Sequence, residues 1–411
     1  MPFSLSAKNV FTYLFEKDIC TKADELLSEI EPKSAKNFNL LLSLPNERKL
    51  LVKQEPFDRH GNTAGEFLHE WRIYQFLRAF PELYDLRNWV PEVLHFDADN
   101  SILVVHYLAD YRDLADFYGK EAVFPTAIAA SLGAMLGVLH QTTFERQEYQ
   151  DLFSQNATGE GIGLPSNIAK GLQRIGPEIF GQVPDDGLKF YALYQRYDSL
   201  GAAIAELCSA FHPCCVTHND LKLNNILVPI HWEEISADPL PLNPAVLEKS
   251  GADRFVPLKL IDWERSSWGD PAFDLGMLIS SYLSIWLGSL GVSKSIELEE
   301  ALRLAITPLD VLQPSIAALG KAYFGHFPEI LQHRPDFLQR VVQFSGFALI
   351  QTILSMLQYQ KTFGNTGICM LQVAKTLLCR PQQSVSTIFG VEAAELTQLA
   401  VSQQRSTVSS Q

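Results

Sequence analysis

The run Val216-Thr217-His218-Asn219-Asp220-Leu221-Lys222-Leu223-Asn224-Asn225-Ile226-Leu227, answered downstream by Leu260-Ile261-Asp262-Trp263-Glu264, constrains this chain more than any other feature. Asp220 and Asn225 stand five residues apart with apolar residues on both sides. One rigid turn can hold a carboxylate and a carboxamide at that spacing. Asp262 follows the apolar pair Leu260-Ile261, the pattern of a short buried strand that aims a carboxylate from its end. Side-chain oxygens of this kind suit a hard divalent cation. A further carboxylate beside an attacking hydroxyl completes what phosphoryl transfer requires, which is fixed positions for charges rather than covalent chemistry.

Composition narrows the setting. With 411 residues and 47% hydrophobic content, the chain can bury one large core or two lobes. A net charge of −14 argues against a nucleic-acid partner, which would call for a basic face that displaces counterions. The acidity is compatible with a cationic substrate and equally with simple solubility. Cys20, Cys208, Cys214, Cys215, Cys369 and Cys379 show no C-x-x-C spacing, and the chain opens Met1-Pro2-Phe3-Ser4 without a basic segment or apolar signal core. A reducing, cytoplasmic setting is the expectation. His212, Cys214, Cys215 and His218 cluster in sequence, but adjacent cysteines seldom close one tetrahedral zinc site, so buried structural cysteines are expected. The apolar stretch from Leu275 to Val292 is interrupted by Ser280, Ser281, Ser284, Gly288 and Ser289 and has no cationic flanks. It predicts a core helix and no membrane span.

Periodicity gives the organisation. Val10, Tyr13 and Leu14, then Leu26, Leu27 and Ile30, recur at helical spacing, so residues 1–30 read as a helical appendage. Short apolar runs over residues 35–44 and 49–54, separated by Leu44-Pro45-Asn46-Glu47-Arg48, predict a hairpin that opens a strand-rich lobe. A helix is predicted over residues 66–77 and a strand over 101–108, and beyond them the pattern is mainly helical. The glycines of 154–167 lack the preceding strand and following Lys-Ser/Thr of a phosphate loop and predict a surface loop. Residues 229–257, with Pro239, Pro241 and Pro244, form an unusually long insertion, either disordered or a lid.

The residues from His218 to Leu227, the tetrad Ile261-Asp262-Trp263-Glu264 and its continuation Trp268-Gly269-Asp270-Pro271-Ala272-Phe273-Asp274-Leu275-Gly276 resemble the aminoglycoside phosphotransferase and choline kinase group, distant relatives of protein kinases. The resemblance covers roughly residues 35–365 and includes Leu136, Leu139 and His140. It implies an α+β, bilobal protein-kinase-like fold, with a small antiparallel-sheet N-lobe and a larger, mostly helical C-lobe. On that basis residues 31–108 are the nucleotide-binding lobe, residues 109–397 the helical lobe with catalytic loop and metal strand, and residues 398–411 a disordered tail.

Carried over to these positions, the resemblance makes Asp220 the carboxylate that orients the acceptor hydroxyl and takes its proton. His218 braces the loop, Asn225 and Asp262 hold Mg2+, and Asp274 buttresses the loop from the start of a helix. Lys53, ending the run Leu50-Leu51-Val52, matches the lysine that steadies the α- and β-phosphates of ATP, and Glu70 is its expected partner, with Glu66 an alternative on the same helix face. No G-x-G-x-x-G loop precedes Lys53, so Ser34 and Asn37 are the candidates for capping phosphates. Adenine is expected against the backbone near His106, Tyr107 and Leu108. Lys222 reads either as a cation facing the transferred phosphoryl group or as a surface lysine. Glu264 reads either as a group approaching metal or substrate or as a solvated strand-end carboxylate.

The function implied is ATP- and Mg2+-dependent transfer of a phosphoryl group to a hydroxyl of a small molecule. Two alternatives stay open. One is a Ser/Thr kinase acting on a precursor peptide, as in class V lanthipeptide pathways, with a partner lyase. The other is a nucleotide-binding scaffold without turnover.

Overall fold

The computed structural model describes residues 3–33, 36–154, 169–172, 185–234, 254–291 and 303–398. Nearly all of the loop expected over 154–167, the middle of the 229–257 insertion, and the tail from residue 399 fall outside them. The chain divides into two compact units, the first formed by Met1–Asp113, Asn225–Glu233 and Pro257–Ser266, the second by Leu114–Asn224, Glu234–Val256 and Ser267–Gln411. The fold is α+β, with an antiparallel sheet in the first unit and helices dominating the second.

In the first unit, β1 (Glu29–Lys33), β2 (Phe38–Ser43), β3 (Lys49–Gln54), β4 (Val93–Asp97) and β5 (Ile102–His106) form one antiparallel sheet in the order β1-β2-β3-β5-β4. Asn39 pairs with Lys53 and Lys53 with Leu103, while Leu40 pairs with Val52 and Val52 with Val104. Because successive side chains alternate across a sheet, one face carries Leu40, Leu42, Leu50, Val52, Ile102 and Val104, and the other carries Asn39, Leu41, Leu51, Lys53, Leu103 and Val105. The first face is wholly apolar and needs a cover. Val10, Phe11, Tyr13 and Leu14 of α1 (Val10–Glu16) provide it, and the Gln54 side chain ties the chain start down by accepting from Leu5 N–H at 2.7 Å and donating to Phe3 C=O at 2.8 Å.

The helical appendage expected over residues 1–30 is therefore corrected. Its first helix is core, and the segment's end is edge strand β1 rather than helix. Leu26 ends a short helix, α2 (Lys22–Leu26), and Leu27 follows it; they are 85% and 75% exposed, so their helical spacing reports no buried face. The longer α3 (Glu66–Ala79) follows the sheet's first hairpin.

A smaller three-stranded sheet, β6 (Tyr111–Asp113), β8 (Ile226–Pro229) and β9 (Lys259–Leu260), also belongs to the first unit. Asn225–Glu233 and Pro257–Ser266, expected within a helical lobe over 109–397, are thus drawn into the first unit by hydrogen bonding to Tyr111–Asp113.

The second unit holds a two-stranded ribbon, β7 (Cys215–Thr217) with β10 (Ser267–Gly269). Its helices are α4 (Leu114–Glu121), α5 (Thr126–Thr143), α6 (Gln147–Ser154), α7 (Asp185–Gln195), α8 (Asp198–Ser209), α9 (Pro271–Gly288), α10 (Leu309–His326), α11 (Ile330–His333), α12 (Phe337–Ser355), α13 (Asn365–Cys379) and α14 (Pro381–Phe389). Two glycines one turn apart let α5 lie directly on α10. A Cβ on Gly133 would stand 2.1 Å from the Leu319 carbonyl oxygen, and one on Gly137 would stand 2.9 Å from that of Tyr323. Gly276 does the same for α9 on α12, where a Cβ would meet that of Phe344 at 2.6 Å.

The start of α9 is fixed by Asp270. Its carboxylate accepts from Ala272 N–H at 3.0 Å and His212 N–H at 2.9 Å, and pairs with Arg334 Nη1 at 2.7 Å. Phe337–Gln360 is long and apolar enough to cross a membrane, but 67% of its apolar window is buried in the protein, as in a core helix. All six cysteines are free, Cys214 and Cys215 being buried beside the ribbon.

Replacing Gly133 by Ala forces a methyl group against backbone that cannot yield. Urea unfolding should register a loss of about 3 kcal/mol or more. Gly119→Ala, in the exposed helix α4 with open space around its Cα, should leave stability unchanged or raise it by up to about 1 kcal/mol. Equal effects at the two sites would refute the close-approach account of α5 on α10.

Candidate active site

The first unit brings Glu70 and Asp262 to one ammonium. Lys53 Nζ lies 3.6 Å from Glu70 Oε2 and 3.5 Å from Asp262 Oδ1, joining strand β3, helix α3 and the segment after β9. Burial alone would depress the ammonium pKa, but Glu70 and Asp262 together outweigh it and hold it above its ordinary value. Burial pushes the Glu70 carboxyl up, with Lys53 opposing. The set is therefore a lysine held in its charged form between the side chains of Glu70 and Asp262. Tyr74, one turn along α3, donates its hydroxyl to Glu70 Oε1 at 3.5 Å.

Glu70, not Glu66, is the partner of Lys53. Glu66 instead pairs with Lys36, and its backbone N–H donates to Glu55 Oε1 at 2.6 Å.

Asp262 has φ 60° and ψ 56°, a left-handed conformation that aspartate tolerates better than most residues. Its carboxylate is 43% exposed, so one side meets Lys53 and the other is open. The Asn225 carbonyl accepts from Ile261 N–H at 3.0 Å, and Ile226 pairs with Leu260, which brings Asn225 beside the residue preceding Asp262. Two side chains bearing oxygen fit Mg2+, which typically takes one or two protein oxygens and completes its shell with phosphates and water. Among the described residues no group of three or more His, Cys, Asp and Glu could hold a metal by itself.

Near the same face, Asn37 and Asn39 each carry a buried Oδ1 with no hydrogen-bond partner among the described residues. Ser34 lies outside those residues. At the end of β5, His106 N–H donates to Glu92 C=O at 2.9 Å and Tyr107 N–H to Lys49 C=O at 3.0 Å. Leu108 N–H has no partner among the described residues.

The second unit builds the loop that carries Asp220. The Asp274 carboxylate, fully buried, accepts from His218 N–H and Asn219 N–H, each at 2.7 Å, and also meets His140 Nε2 at 3.4 Å. Asn219 takes φ 61°, which turns the chain sharply between these two bonds and directs Asp220 onward. Its side chain accepts from Thr217 Oγ1 at 3.0 Å and donates to Ser267 Oγ at 2.8 Å, bracing the turn against the ribbon. His218 Nδ1 accepts from Asp220 N–H at 3.3 Å. Lys222 Nζ lies 2.9 Å from Asp220 Oδ2, with the lysine half exposed, so it faces the candidate base rather than standing free on the surface.

Sequence reasoning missed Asn219, Ser267 and Tyr323. Only Asn219 left a signal, since Asn is among the few residues that accept a positive φ.

Glu264 is partly buried rather than a solvated strand-end carboxylate, and it feels the charges of Glu66, Lys36 and Asp262. Burial, then repulsion from Glu66, push its carboxyl up to about 7, with Lys36 opposing.

No protein-family model and no curated protein matches the sequence. Among solved structures, the chain is similar to choline kinase LicA from Streptococcus pneumoniae, at 18% identity over 89% of this chain and 98% of that one, with a TM-score of 0.44. It is also similar to the ADP-bound aminoglycoside phosphotransferase APH(2'')-Ib, at 15% identity over 94% and 99% of the two chains, with a TM-score of 0.45. A third is the macrolide 2'-phosphotransferase MphH from Brachybacterium faecium, at 12% identity over 91% and 99%, with a TM-score of 0.42.

Asp274→Asn offers one carboxamide oxygen where two carboxylate oxygens serve backbone donors, so one loop N–H loses its acceptor. Stability should fall by about 1–3 kcal/mol, and amide hydrogen exchange at His218 and Asn219 should accelerate. Unchanged exchange at both amides would refute the anchoring.

Because the folded Glu264 holds its proton up to about pH 7 and an unfolded one only to about 4.5, the native form binds more protons between these values. The stability it contributes is complete below about 4.5 and is lost as pH rises through about 7. In EDTA-containing buffer the melting temperature of the wild type should fall relative to Glu264→Gln across that window, and a constant difference would refute the shift.

Proposed function

We propose that this protein transfers the γ-phosphoryl group of ATP to a hydroxyl of a small molecule. The observation that carries the reading is the Lys53 ammonium held at 3.6 Å by Glu70 and 3.5 Å by Asp262, a cation and carboxylates from three separate elements of the kind that can grip an anion and its counter-ion. In this reading Lys53 steadies the α- and β-phosphates. Leu108 N–H receives an adenine nitrogen. Asp262 and Asn225 hold Mg2+, which when bound offsets the charge of the phosphates. Asp220 orients the acceptor hydroxyl and takes its proton as the new O–P bond forms and the bond to the ADP oxygen breaks. Lys222, against Asp220, supplies positive charge beside the candidate base.

The net charge of −14 is compatible with a cationic acceptor. A peptide acceptor with a partner lyase would draw on Lys222, the 229–257 insertion and the N-terminal helical segment, but Lys222 faces Asp220, α1 is part of the sheet's core, and most of the insertion lies outside the described residues, so no observation favours a peptide over a small molecule.

Asp220→Asn keeps the shape of the site and removes the proton acceptor. Mass spectrometry after incubation with Mg-ATP and pools of hydroxylated metabolites should show phosphorylated product with the wild type and a yield lowered about 10²–10⁴-fold with the variant. Nucleotide affinity, read by calorimetry, should stay close to that of the wild type. Asp262→Ala should instead weaken Mg2+-dependent nucleotide binding. Full activity of the Asp220 variant would overturn the proposal, and so would nucleotide binding indifferent to Asp262.

A further inference from the structure

One side chain of helix α10 ends a hydrogen-bond chain that runs through α5 to the loop backbone. Tyr323 Oη lies 3.0 Å from His140 Nδ1, and His140 Nε2 lies 3.4 Å from Asp274 Oδ2. Asp274 in turn accepts from His218 N–H and Asn219 N–H at 2.7 Å. All three side chains are fully buried.

We infer that Tyr323 is a positioning residue for the Asp220 loop, its hydroxyl fixing the tautomer of His140 and so keeping a donor directed at Asp274. The bonding follows from what each group can offer. An ionised carboxylate only accepts, so the contact with Asp274 is favourable when Nε2 carries a proton. In a neutral imidazole Nδ1 is then bare and needs a donor. Burial, together with nearby thiols and carboxylates, raises the Tyr323 phenol well above its ordinary pKa, so it keeps the proton it donates. Without that hydroxyl the ring could place its proton on Nδ1 and turn a bare nitrogen toward Asp274, which the carboxylate disfavours. The supporting residue would then alternate between states instead of holding one.

The surroundings leave the tyrosine ring little freedom. It stacks on Phe337 with centroids 5.9 Å apart and 5° between planes, and meets His140 edge-on at 5.7 Å and 70°. Gly137, one turn before His140, allows the close approach, since a Cβ there would stand 2.9 Å from the Tyr323 carbonyl oxygen. A phenylalanine would fill the same slot, so the hydroxyl has a role beyond packing.

That the loop is catalytic rests on the phosphotransfer reading; the chain of hydrogen bonds does not. Full-length protein labelled with 15N-histidine tests the chain directly. In the wild type the Nε2 of His140 should carry a proton and its Nδ1 should accept from the Tyr323 hydroxyl. In Tyr323→Phe the ring should become a mixture of tautomers, and His218 and Asn219 amide exchange should accelerate by about tenfold, the effect of one lost hydrogen bond. Under the phosphotransfer reading kcat should fall while KM for ATP holds. Tyr282→Phe, which breaks a buried hydroxyl pair with Tyr118 at 2.9 Å elsewhere in the unit, should leave His140 and both amides as they are.

The inference is overturned if the wild-type ring carries its proton on Nδ1, a measurement that needs no variant to fold. It is also overturned if Tyr323→Phe leaves tautomer and exchange unchanged, or if Tyr282→Phe alters them equally. Altered tautomer and exchange together with a fully active Asp220→Asn would sustain the positioning role and remove the phosphotransfer reading instead.

Discussion

A single buried carboxylate organises the second unit's chemistry. Asp274 has no exposure to water, so its charge is tolerable only because two backbone N–H groups at 2.7 Å and an imidazole at 3.4 Å point at it. Hydrogen bonds to a charged acceptor contribute roughly 1.5–3 kcal/mol each. Both backbone donors belong to the turn that carries Asp220, so the cost of burying Asp274 is offset by fixing that turn. Asn219, in its left-handed conformation, is what lets consecutive amides converge on one carboxylate. The anchor itself is held by position. Asp274 lies in the first turn of α9, whose start is fixed by Asp270 with Ala272, His212 and Arg334.

The first unit solves a different problem with the same economy of charge. Lys53 stands on the sheet face opposite the apolar one, and its burial would favour the neutral amine if no anions were near. Glu70 and Asp262 reverse that preference. They come from a helix and from the end of a strand, so the ion set depends on the sheet, α3 and the β8–β9 pair all being in place. The apolar face of the sheet, closed by α1, gives this arrangement a rigid backing. That dependence explains why the leading helix cannot be an appendage. Six aliphatic side chains on one side of a three-strand core would otherwise meet water.

Much of this was legible from residues alone where the signal is local. The Asp220 to Asn225 spacing, the apolar pair before Asp262 and the run before Lys53 each name a side chain and the kind of backbone that presents it. The apolar stretch from Leu275 to Val292 reads as a core helix, and most of it lies in α9, whose apolar residues are largely buried. Helical spacing misled at Leu26, Leu27 and Ile30, because three apolar residues at helical spacing are too few to distinguish a buried helix face from a short helix running into a strand. Glu66 and Glu70 occupy one helix face at the same spacing, and nothing local decides between them. The pairing of Glu66 with Lys36, and of its N–H with Glu55, settles the choice in space.

The sequence by itself determined which chemistry could be present: a carboxylate and a carboxamide on one turn, a carboxylate at a strand end, a lysine on a strand, and a conformationally tolerant Asn before the candidate base. Those are short-range facts, set by backbone geometry within a few residues. Only the tertiary structure decided which groups meet. The Lys53 set spans residues 53 to 262, and the Tyr323–His140–Asp274 chain spans residues 140 to 323. No periodicity encodes such contacts, because they arise where glycines at 133 and 137 let two helices touch and where strand pairing brings distant segments side by side. Electrostatic partnership is a property of distance in space, and distance in space is what packing sets.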